Sequence, residues 1–410
     1  MNSVASADRS GGAPVFDVDI YSDEFQEDPF VQYEKARKLG GVVWVPKYQV
    51  HLVVSYELVH HVLGKWQDFS SATGVGIVPN ANYNPPKPNG LLLEMDPPQH
   101  TKYRSVMSAI LSPSQIKVLR PQVDALAKKY VDAALAKGTI DAFRDLTVPF
   151  VSNVIGDLVG LPLEGRQHFL TMGEFVVAQT GPMNGARQLK TAQAIMETGA
   201  FTWFMSASKR EALTPDGLGA KVYEAADRGE IELAEAQMLV GAFLAAGVDS
   251  TAYSLTNTLK NFTDNPEQWA KLVADTSLAK DAFEEALRLN MAGQLLCRSV
   301  TRPLTLGGVS LDQGSRLAIG YAASNRDPAK FQNPDRFDIL RKPVGHHGFG
   351  FSLHACLGQI LARAEAESLL TELANRVGRL VSAGTPVRKL NYGLTSWESL
   401  PLTLIPKGVA

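Results

Sequence analysis

The chain has 410 residues, 45% hydrophobic and 20% charged, with a net charge of −2. That is enough for one large domain or two to three ordinary ones, and so small a charge excludes a global basic field that would recruit nucleic acid or an anionic membrane. Two cysteines cannot make a disulfide framework, which fits a reducing, cytoplasmic setting.

The opening stretch has no charged-then-apolar leader pattern. Residues 1–20 are expected to be a flexible tail, followed by a single domain over 21–410. DPFVQYEKARKLG (28–40) carries apolar residues on one face and a glycine stop, the pattern of a helix. VVWVPKYQVHLVVSY (42–56) is two β-rich runs around a Pro-Lys turn, which predicts a hairpin, and SYELVHHVLGK predicts a short helix after it. Residues 69–95 are rich in Gly, Pro and Asn, and a loop that long inside a domain is usually functional or disordered. From about 97 to 290 helix follows helix, with further segments at 140–160, 164–180, 187–211 and 233–264. MLVGAFLAAGV (238–248) is too short to span a bilayer and runs into Asp-Ser-Thr, so a buried core helix is expected. After 290 the pattern alternates β-type residues with turns, a last helix starts near 356, and short strands follow over 378–407. The fold class is therefore mainly α, with a small β-rich lobe built from about 42–68, 298–322 and 378–407.

Chemistry concentrates in FGFSLHACLGQ (349–359). Glycines flank Cys356 where the backbone must turn sharply, and the helix that follows aims free N–H groups and its dipole at the sulfur, favouring a thiolate. Three readings are open on these residues: a small buried thiol, a zinc site with His346, His347 and His354, or one thiolate on haem iron. The histidine spacing matches no common zinc pattern. Elsewhere, Glu285-Ala-Leu-Arg288 is an i,i+3 pair that on most helices would be a solvated contact. DPPQHTKYRSVM (96–107) sets His100 and Arg104 on one helix face, and Asp249, Ser250 and Thr251 interrupt an apolar helix.

The segment Phe349-Gly350-x-Ser352-x-His354-x-Cys356-x-Gly358 resembles the haem loop of the cytochrome P450 monooxygenases, with Ser352 at a position where the family usually has glycine. Glu285 and Arg288 resemble the family's ExxR pair, which implies a buried network with Arg336 of NPDRFDILR as the downstream partner. The helix 239–254 resembles the family's central helix, with Ala246, Gly247, Asp249 and Ser250 at its oxygen-groove positions and Ser250, followed by Thr251, where threonine is usual. The resemblance spans nearly the whole chain. It implies the triangular helical body with a long helix over haem b, Cys356 as iron ligand, and His100, Arg104, Arg298, His354 and Phe349 around the cofactor. Asp249, Ser250 and Thr251 are then the proton-delivering groups.

The implied activity inserts one oxygen atom of O2 into a hydrophobic substrate, by hydroxylation or O-demethylation. Electrons would come from a ferredoxin and its reductase, or from a flavodoxin-type donor, with Arg341, Lys342 and Arg104 as docking candidates. SSATGVGIVP, GLLLEMDPP and FEEALRLN resemble bacterial enzymes that oxidise para-substituted benzoates, which grip a carboxylate with Arg and Ser. This chain departs from them, with Lys87 and Gly90 at those positions. The implied pocket is wider and more aliphatic, formed by Lys87, Leu93, Val177, Thr180, Ala242, Ala246, Leu295, Leu296 and Leu394. A small aromatic substrate is the leading expectation, with a bulkier terpenoid or polyketide-type substrate, or a peroxide-driven or haem-sensor role, as alternatives.

Overall fold

The computed structural model describes residues 9–87 and 89–408. Two apolar cores divide it. The larger lies among the helices and includes Phe150, Leu239, Phe262, Trp269, Phe283 and Leu370, and the smaller lies behind a five-stranded sheet. The sheet order is 42–45, 50–53, 316–320, 295–300, 69–70. The hairpin 42–45/50–53 forms as the sequence predicts, with Val42 opposite Val53. Strand 50–53 then runs parallel to 316–320, and 316–320 runs antiparallel to 295–300.

Three expectations change. Residues 9–20 are not a loose tail: Phe16 and Ile20 are buried, and Phe16 N–H donates to Trp44 at 2.7 Å. Phe16, Val18 and Ile20, three apolar side chains in five residues, pack into the smaller core and bury too much apolar surface to stay in water. Residues 1–8 lie outside the described residues. The C-terminal strands also stand apart from the main sheet. Pro401–Pro406 is the middle strand of a separate sheet, between Thr139–Asp141 and Val377–Ser382, and Val387–Leu390 pairs with Thr395–Ser399. Finally, the segment 187–211 breaks at Gly199 (φ +71°) into helices Ala186–Glu197 and Ala200–Ala207.

The central apolar segment Leu233–Asp264 is long and apolar enough to cross a membrane by length and composition. It nevertheless packs against helices on several sides of the larger core. It is two helices, Leu233–Gly247 and Asp249–Asp264, that meet at Val248.

Helix Ala279–Asn290 is locked to the loop ahead of Cys356 by ion pairs removed from water. Arg288 Nε donates to Glu285 Oε2 at 2.7 Å and Nη2 to Oε1 at 2.9 Å, with both side chains fully buried. Arg288 also reaches the carbonyls of Asn325 and Pro334 at 3.0 and 2.7 Å. The second cation on Glu285 is Arg341, whose Nε donates at 2.9 Å. The expected partner Arg336 is exposed and contributes only its carbonyl, to Arg288 and Arg341. The chain turns over residues 333–341 so that Arg341 points inward, where two cations balance the charge of one dry carboxylate. Arg341 is thereby removed from the docking candidates. Substituting Glu285→Ala strands Arg288 in the core, and urea unfolding should show a loss of about 3–5 kcal/mol; Arg336→Ala should change stability by less than about 0.5 kcal/mol.

Candidate haem site

The loop before the last helix is shaped by its own backbone. Gly350 sits at φ +70° and donates to His347 O at 2.9 Å, and Cys356 N–H donates back to Phe349 O at 2.7 Å. Ser352 to His354 make a single 3-10 turn, closed by Ala355 N–H on Ser352 O. Ser352 adopts φ +58°, the left-handed region where glycine carries no Cβ penalty. The helix begins at Gln359, with Gly358 as its cap and the Gln359 amide on Cys356 O at 3.0 Å.

Around this loop Arg363 lies 4.4 Å over the Phe349 ring and Phe283 6.4 Å from it. Arg363 and His346 share Glu284, His346 Nε2 at 2.7 Å. Against the upward push of burial, these two hold the Glu284 carboxyl down at about 2. His346 is thus bound to an acid and His347 to Ser324 and His60, so neither gathers with Cys356. Among the described residues no group of three or more His, Cys, Asp or Glu could hold a metal ion, and the zinc reading fails.

Cys356 is exposed, while Cys297 is buried in the sheet. Although Cys356 is exposed, the protein crowded around its sulfur pushes the thiol up, against the Gly358 N–H and the Arg104 and Arg363 charges, so the helix start does not by itself favour a thiolate here.

The four cationic or donor side chains named from sequence converge. The rings of His100 and His354 stand 4.8 Å apart, Arg104 Nη1 donates to Ala355 O at 2.7 Å, and His354 Nε2 lies 3.0 Å from Ser71 Oγ. Arg298 is 3% exposed and donates to its neighbour's carbonyl, Cys297 O, at 2.9 Å. Burial, then Arg298, His100 and Arg104, push the His354 imidazole down to about 3. Buried His100 Nδ1 has no partner, and the nearby carboxylate Asp96 is taken up by Ser70 and Ser71. A cluster of two guanidiniums and two imidazoles, with His100 and Arg298 buried, Arg104 and His354 half-buried and one unused donor, fits a ligand bearing two carboxylates, as haem does with its propionates. Ser71 was not named from sequence, because nothing local distinguishes it from its neighbour Ser70.

On the opposite helix, Ala242, Ala246 and Ser250 fall one turn apart and keep partial or full exposure, between buried Leu244, Ala245 and Asp249. The three form one stripe along the helix that is less covered than these buried neighbours. Ser250 Oγ donates to Ala246 O at 2.7 Å, across the break at Val248. Of the two alcohols only Ser250 lies on the stripe, and Thr251 is 7% exposed. Asp249 is 2% exposed, with Oδ1 accepting from Ser250 N–H at 2.7 Å and Oδ2 unpartnered. Burial, opposed by that N–H and assisted by Glu174, pushes the Asp249 carboxyl up to about 7.

The expected pocket residues divide. Leu296 is half-buried and shares its strand face with Arg298, whereas Leu295 points the other way into the sheet core at 2% exposure. Strand alternation makes the two exclusive, so Leu295 is not a wall. Val177, Thr180 and Leu394 are half-buried, and Leu93 is 43% exposed. Lys87 is half-buried, its ammonium 3.1 Å from Gln179 Oε1 and 3.5 Å from the Tyr83 ring centre.

A mainly helical body with a small sheet, an exposed cysteine in a glycine-flanked loop and a cluster of guanidinium and imidazole donors suited to two carboxylates fit a haem-binding oxidoreductase. The comparisons agree. The family model for cytochrome P450 matches residues 271–377. Cytochrome p450 CYP199A2 of Rhodopseudomonas palustris is 37% identical, covering 97% of this chain and 96% of its own. The steroid C26-monooxygenase of Mycobacterium tuberculosis (strain CDC 1551 / Oshkosh) is 29% identical over 77% of this chain and 86% of its own. The solved cytochrome P450 CYP109Q5 from Chondromyces apiculatus superposes with TM-score 0.79 at 27% identity, over 96% of this chain and 99% of that one. The chain belongs to the cytochrome P450 family, and is a haem-dependent monooxygenase.

Two outcomes follow from the site. Ser352→Gly relieves the left-handed serine and should stabilise the protein by about 0.5–1 kcal/mol in urea unfolding. Asp249 binds its proton more tightly folded than unfolded, where it stays near 3.8. Its stabilising contribution is complete below that value and is lost as pH rises towards about 7. Unfolding midpoints of Asp249→Asn and the natural chain, measured across that window, should therefore diverge in favour of the variant as pH rises.

Proposed function

We propose that Cys356 would supply the thiolate that holds the iron of haem b, with His100, Arg104, Arg298 and His354 binding its propionates and Phe349 lining the cofactor from the cysteine loop. The observation that carries this reading is the meeting of an exposed thiol with buried and half-buried donors that have no carboxylate partner among the described residues. Bound there, haem supplies O2 activation and insertion of one oxygen atom into a C–H bond.

The chain's own residues would do the rest. Ala246 leaves the groove wall low, Ser250 and Asp249 hold protons at its edge, and Arg104 fixes the loop that carries the thiolate. Leu296, Val177, Thr180, Ala242 and Leu394 form an apolar enclosure suited to a small aromatic substrate. Lys87, whose nearest partners are a neutral amide and a ring, would hold an aryl acid or phenolate at the far end. The small side chains of the central stripe also leave room for a terpenoid or polyketide-type substrate.

Electrons would arrive on the cysteine side. A groove of about 980 Å³ there is lined by Lys117, Arg120, Lys280, Lys342 and Arg363, with Asp281, Glu284 and Glu367. Arg120 and Arg363 are bound to Glu367 and Glu284. Lys117, Lys280 and Lys342 have no ion pair among the described residues, and so suit a small acidic iron–sulfur protein of the ferredoxin type, working in the cytoplasm. Arg104, tied to Ala355 O, is not free to join them.

The purified protein should give the reduced carbon-monoxide spectrum of a thiolate haem, and Cys356→Ser should lose it. Spin-state titration should show shifts with aryl acids or phenols. Lys87→Met should weaken aryl-acid binding by about tenfold or more, the worth of one charge-assisted hydrogen bond, and leave neutral aryl ethers unaffected. No shift with any aryl acid or phenol, but shifts with terpenoids, would overturn the aromatic assignment.

A further inference from the structure

The acidic groups at the groove continue outward past Asp249. A Cβ built on Gly173 would lie 2.6 Å from Asp249 Oδ2, so helix His168–Ala178 presses bare backbone against the carboxyl. The next residue, Glu174, accepts the Tyr253 hydroxyl at 3.1 Å, and Tyr253 stands one turn beyond Asp249 on the same helix. The same oxygen, Glu174 Oε1, is held from outside by Lys389 Nζ at 2.7 Å. The Glu174 and Lys389 side chains are 18% and 21% exposed, whereas Asp249 is 2% exposed. Asn391 Nδ2 donates to Glu174 O at 2.9 Å and fixes the end of that helix. From strand Thr395–Ser399, Glu398 acts on Tyr253. Among the described residues no Lys or Arg pairs with Asp249, and its Oδ2 meets no donor.

We infer that Glu174, with Tyr253, is the entry route by which Asp249 is resupplied with protons from solvent. This rests on the reading of Asp249 and Ser250 as the proton-delivering pair. In the step, a hydronium ion of the solvent protonates the Glu174 carboxylate at its Lys389 contact and is left as water. That proton passes, through the Tyr253 hydroxyl or one water, to an Asp249 carboxylate that has released its own towards Ser250. Glu174 returns to its carboxylate and to Lys389, so one proton has moved inward and no electron has moved. Glu174 is a positioning residue that acts through Asp249. Glycine at 173 is what lets the two acids approach, since any side chain there would collide with Oδ2.

The test uses the haem-loaded protein with its electron donor and substrate, in the variants Glu174→Gln, Glu174→Asp and Asp249→Asn. Glu174→Gln should lower product formed per NADH by about tenfold, divert the electrons to peroxide and enlarge the solvent isotope effect, with Glu174→Asp recovering most of the yield. Independently of turnover, the infrared carboxyl band of the resting protein that Asp249→Asn removes should titrate at lower pH in Glu174→Gln, because a neighbouring negative charge is gone. An unchanged yield in Glu174→Gln, with or without a moved titration, overturns the route. If instead Asp249→Asn leaves yield and peroxide unchanged, the underlying reading of Asp249 fails and the route with it.

Discussion

The buried carboxylate Glu285 is the constraint on which the rest of the molecule depends. One charge without water must be met by cations in fixed places, and it is met by Arg288 from its own helix and Arg341 from the loop some fifty residues later. Arg288 spends its remaining donors on loop carbonyls. Charge balance in a dry site thus fixes the path of residues 325–341, and that path delivers the cysteine loop beneath the central helices. Such a network is a weak source of net stability but a strong source of uniqueness, since any other path leaves a bare charge in the core.

The site itself sets opposite electrostatics on its two sides. Around the cysteine loop the charges are positive and the imidazoles are pressed towards neutrality by burial and by the guanidiniums. At the central helix the charges are acidic, and burial presses Asp249 towards its protonated form. A group that brings two carboxylates and a metal cation answers the first side, and dioxygen chemistry that consumes protons answers the second. The family relationship gives this arrangement its name, and the physical argument explains why the donors lie where they do.

Much of the fold was legible because it rests on local pattern. Helix Pro113–Lys137 starts at Ser112 and stops at Gly138, as its caps require. The 42–56 hairpin follows from two β-rich runs and one turn. Ser352 stood out in the sequence as the residue in a glycine's place, and its positive φ shows the cost of that choice. Other features were not legible. Residues 9–20 carry only two large apolar anchors, too few to reveal a docking partner in the sheet. The polar residues after Val248 show in the sequence, but that the helix itself breaks there does not, since polar side chains alone do not end a helix.

By itself the sequence marked out the candidate residues, since a cysteine between glycines, an acid followed by an alcohol and an i,i+3 ion pair are short-range spacings. Only the tertiary structure decided which arginine meets Glu285, that Leu295 turns into the sheet core while Leu296 stays half-buried on the other face, that the C-terminal strands leave the main sheet, and that Gly173 lies against Asp249 with Glu174 on Tyr253. Those are meetings of segments far apart in the chain. They are set by packing and by the need to satisfy buried charge, and neither leaves a trace in local propensity.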